Sequence, residues 1–171
     1  MTDIITNLRP LQDGQYKIRS CHLINGNVVY LRARAPNANA GVDVTSNPQA
    51  ATVWFLSYFP NLASYRIWQH GSNNVLDAPR ETENVTVWAC PDAPVNWQQW
   101  AIRTHVNTNV AAGHPDRVQG YSLTPLSATY CVLTAPTTPV AEHVNQFVKS
   151  LPATPGGGDL QMNQLWVIER A

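Results

Sequence analysis

A short segment ending in tryptophan recurs three times along the chain, and this recurrence restricts the fold more than any other feature. The clearest copy is Gln98-Gln99-Trp100, the second is Gln164-Leu165-Trp166, and a degenerate copy is Thr52-Val53-Trp54. Each copy closes a stretch in which short, alternating apolar segments are separated by turn-forming residues. Self-similarity of this kind predicts repeated units that bury their apolar faces against one another.

The units also open on similar strands, each with a tyrosine followed two positions later by an aliphatic residue: Tyr16-Lys17-Ile18, Tyr65-Arg66-Ile67 and Tyr121-Ser122-Leu123. Strand-like segments recur about every ten residues, and no long segment has the period of a helix. We therefore predict an all-β fold, the β-trefoil: three pseudo-repeats of about four strands that form a closed barrel with a hairpin cap. The chain should be a single domain, 1–171, with repeats at about 13–57, 62–103 and 118–171.

Two local predictions follow from turn and linker residues. Asn25-Gly26 predicts a tight hairpin turn in the first unit. The third unit carries extra chain between Pro136 and Gly158, and we expect the segment from Val144 to Leu151 to supply its remaining strand.

Composition excludes several partners. The 11 basic and 11 acidic residues balance, and no stretch concentrates Lys or Arg, so nucleic-acid binding is not expected. The N-terminus has no signal-peptide pattern and no apolar run is long enough to cross a bilayer, so we expect a cytoplasmic protein without membrane insertion. The three cysteines are interpreted as small buried residues of a reducing compartment.

No pattern in the chain indicates catalysis. The 5 histidines are scattered, with no Cys or His at metal-ligand spacing, so no metal site is predicted. Gly156-Gly157-Gly158 precedes Asp159 without the strand and helix of a phosphate loop. We predict a binding protein without cofactor, and not an enzyme.

The second unit resembles the ricin B-type β-trefoil lectin family, in its fungal-type form, whose repeats end in Gln-x-Trp. The matching residues are Leu76-Asp77, the aromatic strand ending at Trp88, and Gln98-Gln99-Trp100. The resemblance implies a lectin for galactose- or N-acetylgalactosamine-type glycans, of the kind that acts in defence. It assigns Asp77 as acceptor for sugar hydroxyls, Trp88 as the platform under the apolar sugar face, and Gln98 as a scaffold residue or minor contact.

The match has one departure. Where the family has Asn directly before the closing Gln, this chain has Trp97, and the nearest amide is Asn96, one residue earlier. The other units lack the acid, because Arg32 and Thr134 stand at its place. We therefore expect one sugar site, formed by Asp77, Trp88 and the segment Asn96-Trp97-Gln98.

A second function stays open, because the chain also resembles the mushroom β-trefoil inhibitors of cysteine and serine proteases. The resemblance lies in the opening segment from Asp13 to Ile18 and in the ending from Leu165 to Glu169. It implies that a rigid surface loop enters a protease, and the candidate loops are 21–27 and 70–74. Asn73 or Asn74 would suit an asparagine-specific protease. The lectin is favoured, since its motif matches in order and spacing; the sequence leaves open a homodimer.

Overall fold

The structure is a computed structural model that describes residues 2–5, 10–78, 84–91, 93, 95–107, 118–137, 149–152 and 160–171. These residues form the strands β1 (Thr2–Ile5), β2 (Gly14–Ser20), β3 (Tyr30–Ala33), β4 (Ala40–Thr45), β5 (Trp54–Phe59), β6 (Ser64–Gln69), β7 (Asn74–Asp77), β8 (Thr86–Ala89), β9 (Trp100–Asn107), β10 (Val118–Pro125), β11 (Cys131–Thr134), β12 (Lys149–Pro152) and β13 (Trp166–Arg170). Short 3-10 helices lie at Pro60–Leu62, Asn96–Gln98 and Met162–Gln164. The described residues form no helix long and apolar enough to span a membrane.

Six of the strands close into a ring. β2 pairs with β5, β5 with β6, β6 with β9, β9 with β10, β10 with β13, and β13 returns to β2, all antiparallel. Closing the ring leaves no free sheet edge among these strands. The hairpins β3–β4, β7–β8 and β11–β12 stand outside the ring, one for each predicted unit.

The recurring tryptophans lie at the centre of the core. Trp54, Trp100 and Trp166 are all fully buried. Their indole N–H groups donate to the backbone carbonyls of Leu31 (3.4 Å), Leu76 (3.0 Å) and Leu133 (2.9 Å), respectively. Each closing strand is thereby bound to the hairpin of its own unit through a buried hydrogen bond, and the three contacts are equivalent.

The local predictions have different outcomes. The hairpin turn is confirmed: Asn25 and Gly26 both have positive φ, and Ile24 pairs with Asn27 across them. The N-terminal segment contains β1, which pairs with the C-terminal half of β9, from Thr104 to Asn107. The strand expected from Val144 to Leu151 overlaps β12, which begins at Lys149; residues 144–148 lie outside the described residues.

The tryptophan contacts predict a graded loss of stability. Trp100→Phe should lower the free energy of unfolding by about 2 to 4 kcal/mol, because the Leu76 carbonyl loses its buried donor and the smaller ring leaves a cavity. Trp166→Phe should cost as much, and Trp54→Phe less, because its hydrogen bond is longer at 3.4 Å. Urea unfolding followed by circular dichroism measures the three losses, and a largest loss for Trp54→Phe would contradict this ranking.

Candidate functional site

The β7–β8 hairpin places Asp77 and Trp88 on one face. Leu76 pairs with Val87, and both side chains are fully buried in the core. Asp77 pairs with Thr86, and Trp88 pairs with Val75. Because side chains alternate along a strand and paired residues share a face, Asp77 and Trp88 both lie on the side opposite to the core, in diagonal positions.

One oxygen of the Asp77 carboxylate is held by Gln98, and the other has no donor among the described residues. Gln98 Nε2 donates to Asp77 Oδ1 at 2.9 Å. Among the residues that the structure describes, none donates to Oδ2, and this oxygen is not one of the fully buried polar atoms without a partner. Asp77 is only 4% exposed. Burial raises the pKa of its carboxyl, and the hydrogen bond from Gln98 offsets part of this rise.

Gln98 is placed to orient Asp77. It ends the 3-10 helix Asn96–Gln98 and is buried. Its Nε2 also lies 3.5 Å from the Ala89 carbonyl, which is too long for a strong hydrogen bond. Its Oε1 is buried without a donor among the described residues. Gln98 therefore acts through Asp77, as a positioning residue, and not at the surface.

Trp97 takes the backbone place of the expected asparagine. Its carbonyl accepts from the Ala78 N–H at 2.9 Å, as the carbonyl of Asn163 accepts from Ala135 at 2.8 Å in the third unit. The two loops therefore have the same register. Asn96 is exposed and lies one residue before the family position, and its side chain makes no hydrogen bond to Asp77 among the described contacts.

Two tryptophan side chains of the second unit are exposed. Trp88 is 45% exposed and Trp97 is 44% exposed, although Trp is usually well buried. Trp88 belongs to the strand that carries the site, and Trp97 to the loop that returns to it. The structure thus places Asp77, Trp88 and Gln98 in one hairpin-and-loop unit, and Asn96 and Trp97 at its border.

The corresponding places in the other units are occupied differently. Arg32 forms a two-point ion pair with Asp43, with Nε to Oδ1 and Nη2 to Oδ2 both at 2.8 Å. Thr134 donates to the Val132 carbonyl at 2.9 Å. The Asn163 side chain is also bound internally, since its Nδ2 donates to the Ala135 carbonyl at 3.0 Å.

The two asparagines of the alternative inhibitory loop differ in access. Asn74 begins β7 and is buried, and its Nδ2 donates to the Pro36 carbonyl at 2.7 Å. Its side chain is therefore structural, which corrects its assignment as a residue that enters a protease. Asn73 is exposed, and its carbonyl accepts from the Cys90 N–H at 3.1 Å.

The cysteines and histidines form no metal site in the described parts of the chain, where no group of three or more Cys, His, Asp or Glu converges. None of the three cysteines, all of which the structure describes, forms a disulfide. Cys131 is buried as expected, but Cys21 and Cys90 are only half-buried, so the interpretation of all of them as buried residues was wrong for two.

Comparison with known proteins identifies the fold. No family model matches the chain, and no curated protein matches it. A mosquitocidal holotoxin has a TM-score of 0.65 at 15% identity over 94% of this chain, which spans only 18% of the toxin. The designed three-fold symmetric protein ThreeFoil has a TM-score of 0.62 at 19% identity, with coverages of 93% and 100%. A proteinase inhibitor from Coprinopsis cinerea has a TM-score of 0.58 at 17% identity, with coverages of 94% and 99%.

These likenesses, together with the closed ring of strands and its hairpins, show that the chain is a β-trefoil, as the sequence predicted. The identities are low, so the likeness extends to the fold alone.

The raised pKa of the Asp77 carboxyl predicts how replacing this aspartate changes the free energy of unfolding. Since burial holds the folded-state pKa above the ordinary value, the folded protein keeps this proton more readily than the unfolded chain, and stability falls as pH rises through the raised pKa. Asp77→Asn removes this penalty and keeps an acceptor for Gln98. The variant should therefore be more stable than the wild type at neutral pH, and the difference should shrink in acid.

Urea unfolding of both proteins at pH values below and above the ordinary pKa of an aspartate measures this difference. A variant that is less stable than the wild type at neutral pH would show that the charge itself stabilises the fold.

Proposed function

We propose that this β-trefoil is a lectin of the ricin B type, which binds galactose- or N-acetylgalactosamine-type glycans through the β7–β8 hairpin. The observation that carries the proposal is the Asp77 carboxylate, which Gln98 holds through one oxygen, while no described residue donates to the other oxygen. It shares a face with the exposed indole of Trp88.

These groups match the two surfaces of a pyranose. The Oδ2 of Asp77 accepts from a sugar hydroxyl, and the Trp88 ring covers the apolar C–H face. Because Gln98 already holds the carboxylate in one orientation, little side-chain freedom is lost on binding. Asn96 and Trp97 contact the glycan beyond the sugar that Asp77 holds, since they lie in the adjoining loop.

A glycan array followed by titration with the best ligand tests the proposal. Asp77→Asn and Trp88→Ala should each weaken binding by at least about tenfold, which corresponds to roughly 1.4 kcal/mol, because each removes one of the two recognition surfaces. Tyr130→Ala is the matched control, since Tyr130 is 51% exposed in the third unit and should have no effect. An array without binding at high protein concentration would exclude the proposal.

A second function, protease inhibition, is favoured by the bonding of the loop between β6 and β7. The Ser72 N–H and hydroxyl both donate to the Gln69 carbonyl, at 3.1 and 3.2 Å, and the Ser72 hydroxyl accepts from the Asn74 N–H at 3.1 Å. With its own carbonyl bound by Cys90, the exposed Asn73 is presented from a backbone held at both ends. A preorganised loop is what a tight protease inhibitor needs.

Titration of legumain, papain and trypsin tests this alternative. We expect inhibition of the asparagine-specific enzyme legumain, lost at least about tenfold in Asn73→Ala because the side chain for the specificity pocket is removed. Asp77→Asn serves as the control and should inhibit like the wild type. If none of the proteases is inhibited at micromolar excess, the loop has no such role.

A further inference from the structure

Arg66 is a buried cation on the outer side of the barrel. It lies in β6 between Tyr65 and Ile67, whose side chains are fully buried in the core, so it points to the opposite face. Arg66 is nevertheless only 5% exposed. Its guanidinium carbon lies 4.9 Å from the ring centre of Phe59 and 5.6 Å from that of Trp68.

The polar edge of this guanidinium has no acceptor. The Nε and Nη2 atoms of Arg66 are buried, and no hydrogen-bond partner lies near either one among the described residues. Elsewhere in the chain, Arg32 uses the same two atoms to hold both oxygens of Asp43 at 2.8 Å. An arginine therefore binds a carboxylate through this edge in the first unit, while at Arg66 the corresponding edge meets no carboxylate in the described residues.

Gln99 adds a third unpaired donor on the same side. It is fully buried, its Oε1 accepts from the Ser64 hydroxyl at 3.0 Å, and its Nε2 has no acceptor. Ser64 lies two residues before Arg66 in β6 and so shares its face. Buried donors without acceptors are costly, and a charged one is the most costly. The buried atoms without partners on Arg66 and Gln99 are therefore all hydrogen-bond donors.

We propose that the outer face of β6 is a binding site for a carboxylate group, held by the Nε and Nη2 atoms of Arg66 and by Gln99, between Phe59 and Trp68. The planar, two-oxygen geometry of a carboxylate fits the two parallel N–H groups of the guanidinium edge. Phe59 and Trp68 lie against the guanidinium group, and the carboxylate meets its Nε and Nη2 edge. The carboxylate comes from a small organic acid or from an acidic sugar.

Isothermal titration in a low-salt buffer with acetate, benzoate and glucuronate tests the site and distinguishes the sources. Binding of acetate shows that the carboxylate alone suffices, and binding of glucuronate alone shows that an acidic sugar is required. Arg66→Met should abolish binding, and Arg66→Lys should weaken it at least about tenfold, since lysine keeps the charge and loses the two-point geometry. Arg103→Lys, at an exposed position on β9, is the matched control and should bind like the wild type.

A thermal readout keeps the test independent of heats of binding. At about a hundredfold excess of ligand over its Kd, the melting temperature of the wild type should rise by roughly 5 to 10 °C, with no rise for Arg66→Met. If Arg66→Met does not fold, Arg66→Lys replaces it, and at the same ligand concentration its melting temperature should rise by at most about half as much as that of the wild type. Failure of all three acids to bind the wild type, or equal binding by Arg66→Lys, would overturn the proposal. Asp77→Asn should leave carboxylate binding unchanged, which distinguishes this site from the glycan site.

Discussion

The indole-to-carbonyl hydrogen bonds of Trp54, Trp100 and Trp166 are the constraint on which the rest of the structure depends. Each ties a closing strand to a leucine carbonyl in the hairpin of the same unit, inside the core. Because strand residues alternate in direction, the residue after each leucine must face away from that core. The buried contact thus defines an equivalent outer position three times, and these positions hold Arg32, Asp77 and Thr134.

The chemistry of these positions depends on their neighbours. Arg32 is paired with Asp43 directly across the β3–β4 hairpin, so its charge is compensated. Thr134 is satisfied by a carbonyl two residues earlier in its own strand. Across from Asp77 stands Thr86, which carries no charge, and the Asp77 carboxylate accepts from the Gln98 amide instead. The same position in the three units therefore holds an arginine in an ion pair, an aspartate held by a glutamine, and a threonine bonded within its own strand.

The sequence predicts the parts of this arrangement that repeat. Alternation and the recurring tryptophans were enough to predict the all-β trefoil, in which Tyr16, Ile18 and the three indoles are buried. The contact between Gln98 and Asp77 could not be predicted, because it joins two segments through a 3-10 helix whose geometry no repeat pattern specifies. Asn74 was misassigned for a similar reason: its side chain is bound by a carbonyl from a different unit. Arg66 gave only a weak signal, a charged residue between two inward apolar ones, because its contact with Phe59 on the neighbouring strand depends on the register of the two strands.

The two proposed sites are connected by a segment that carries buried polar atoms without partners. Among the described residues, the buried side-chain atoms without partners belong to Arg66, Gln98 and Gln99 only. Gln98 and Gln99 are adjacent in the closing segment, and their amides reach in different directions, one to Asp77 and the other to Ser64 on β6. Native proteins leave few buried polar groups unpaired, and those that remain call for an explanation. Here they lie on either side of one closing segment: the donors of Arg66 and Gln99 are on one side, and on the other is the Oε1 acceptor of Gln98, whose amide also holds Asp77. The amides of Gln98 and Gln99 thus connect the Asp77 carboxylate with the outer face of β6 through one segment of the chain, so the same 3-10 turn and strand start position both groups.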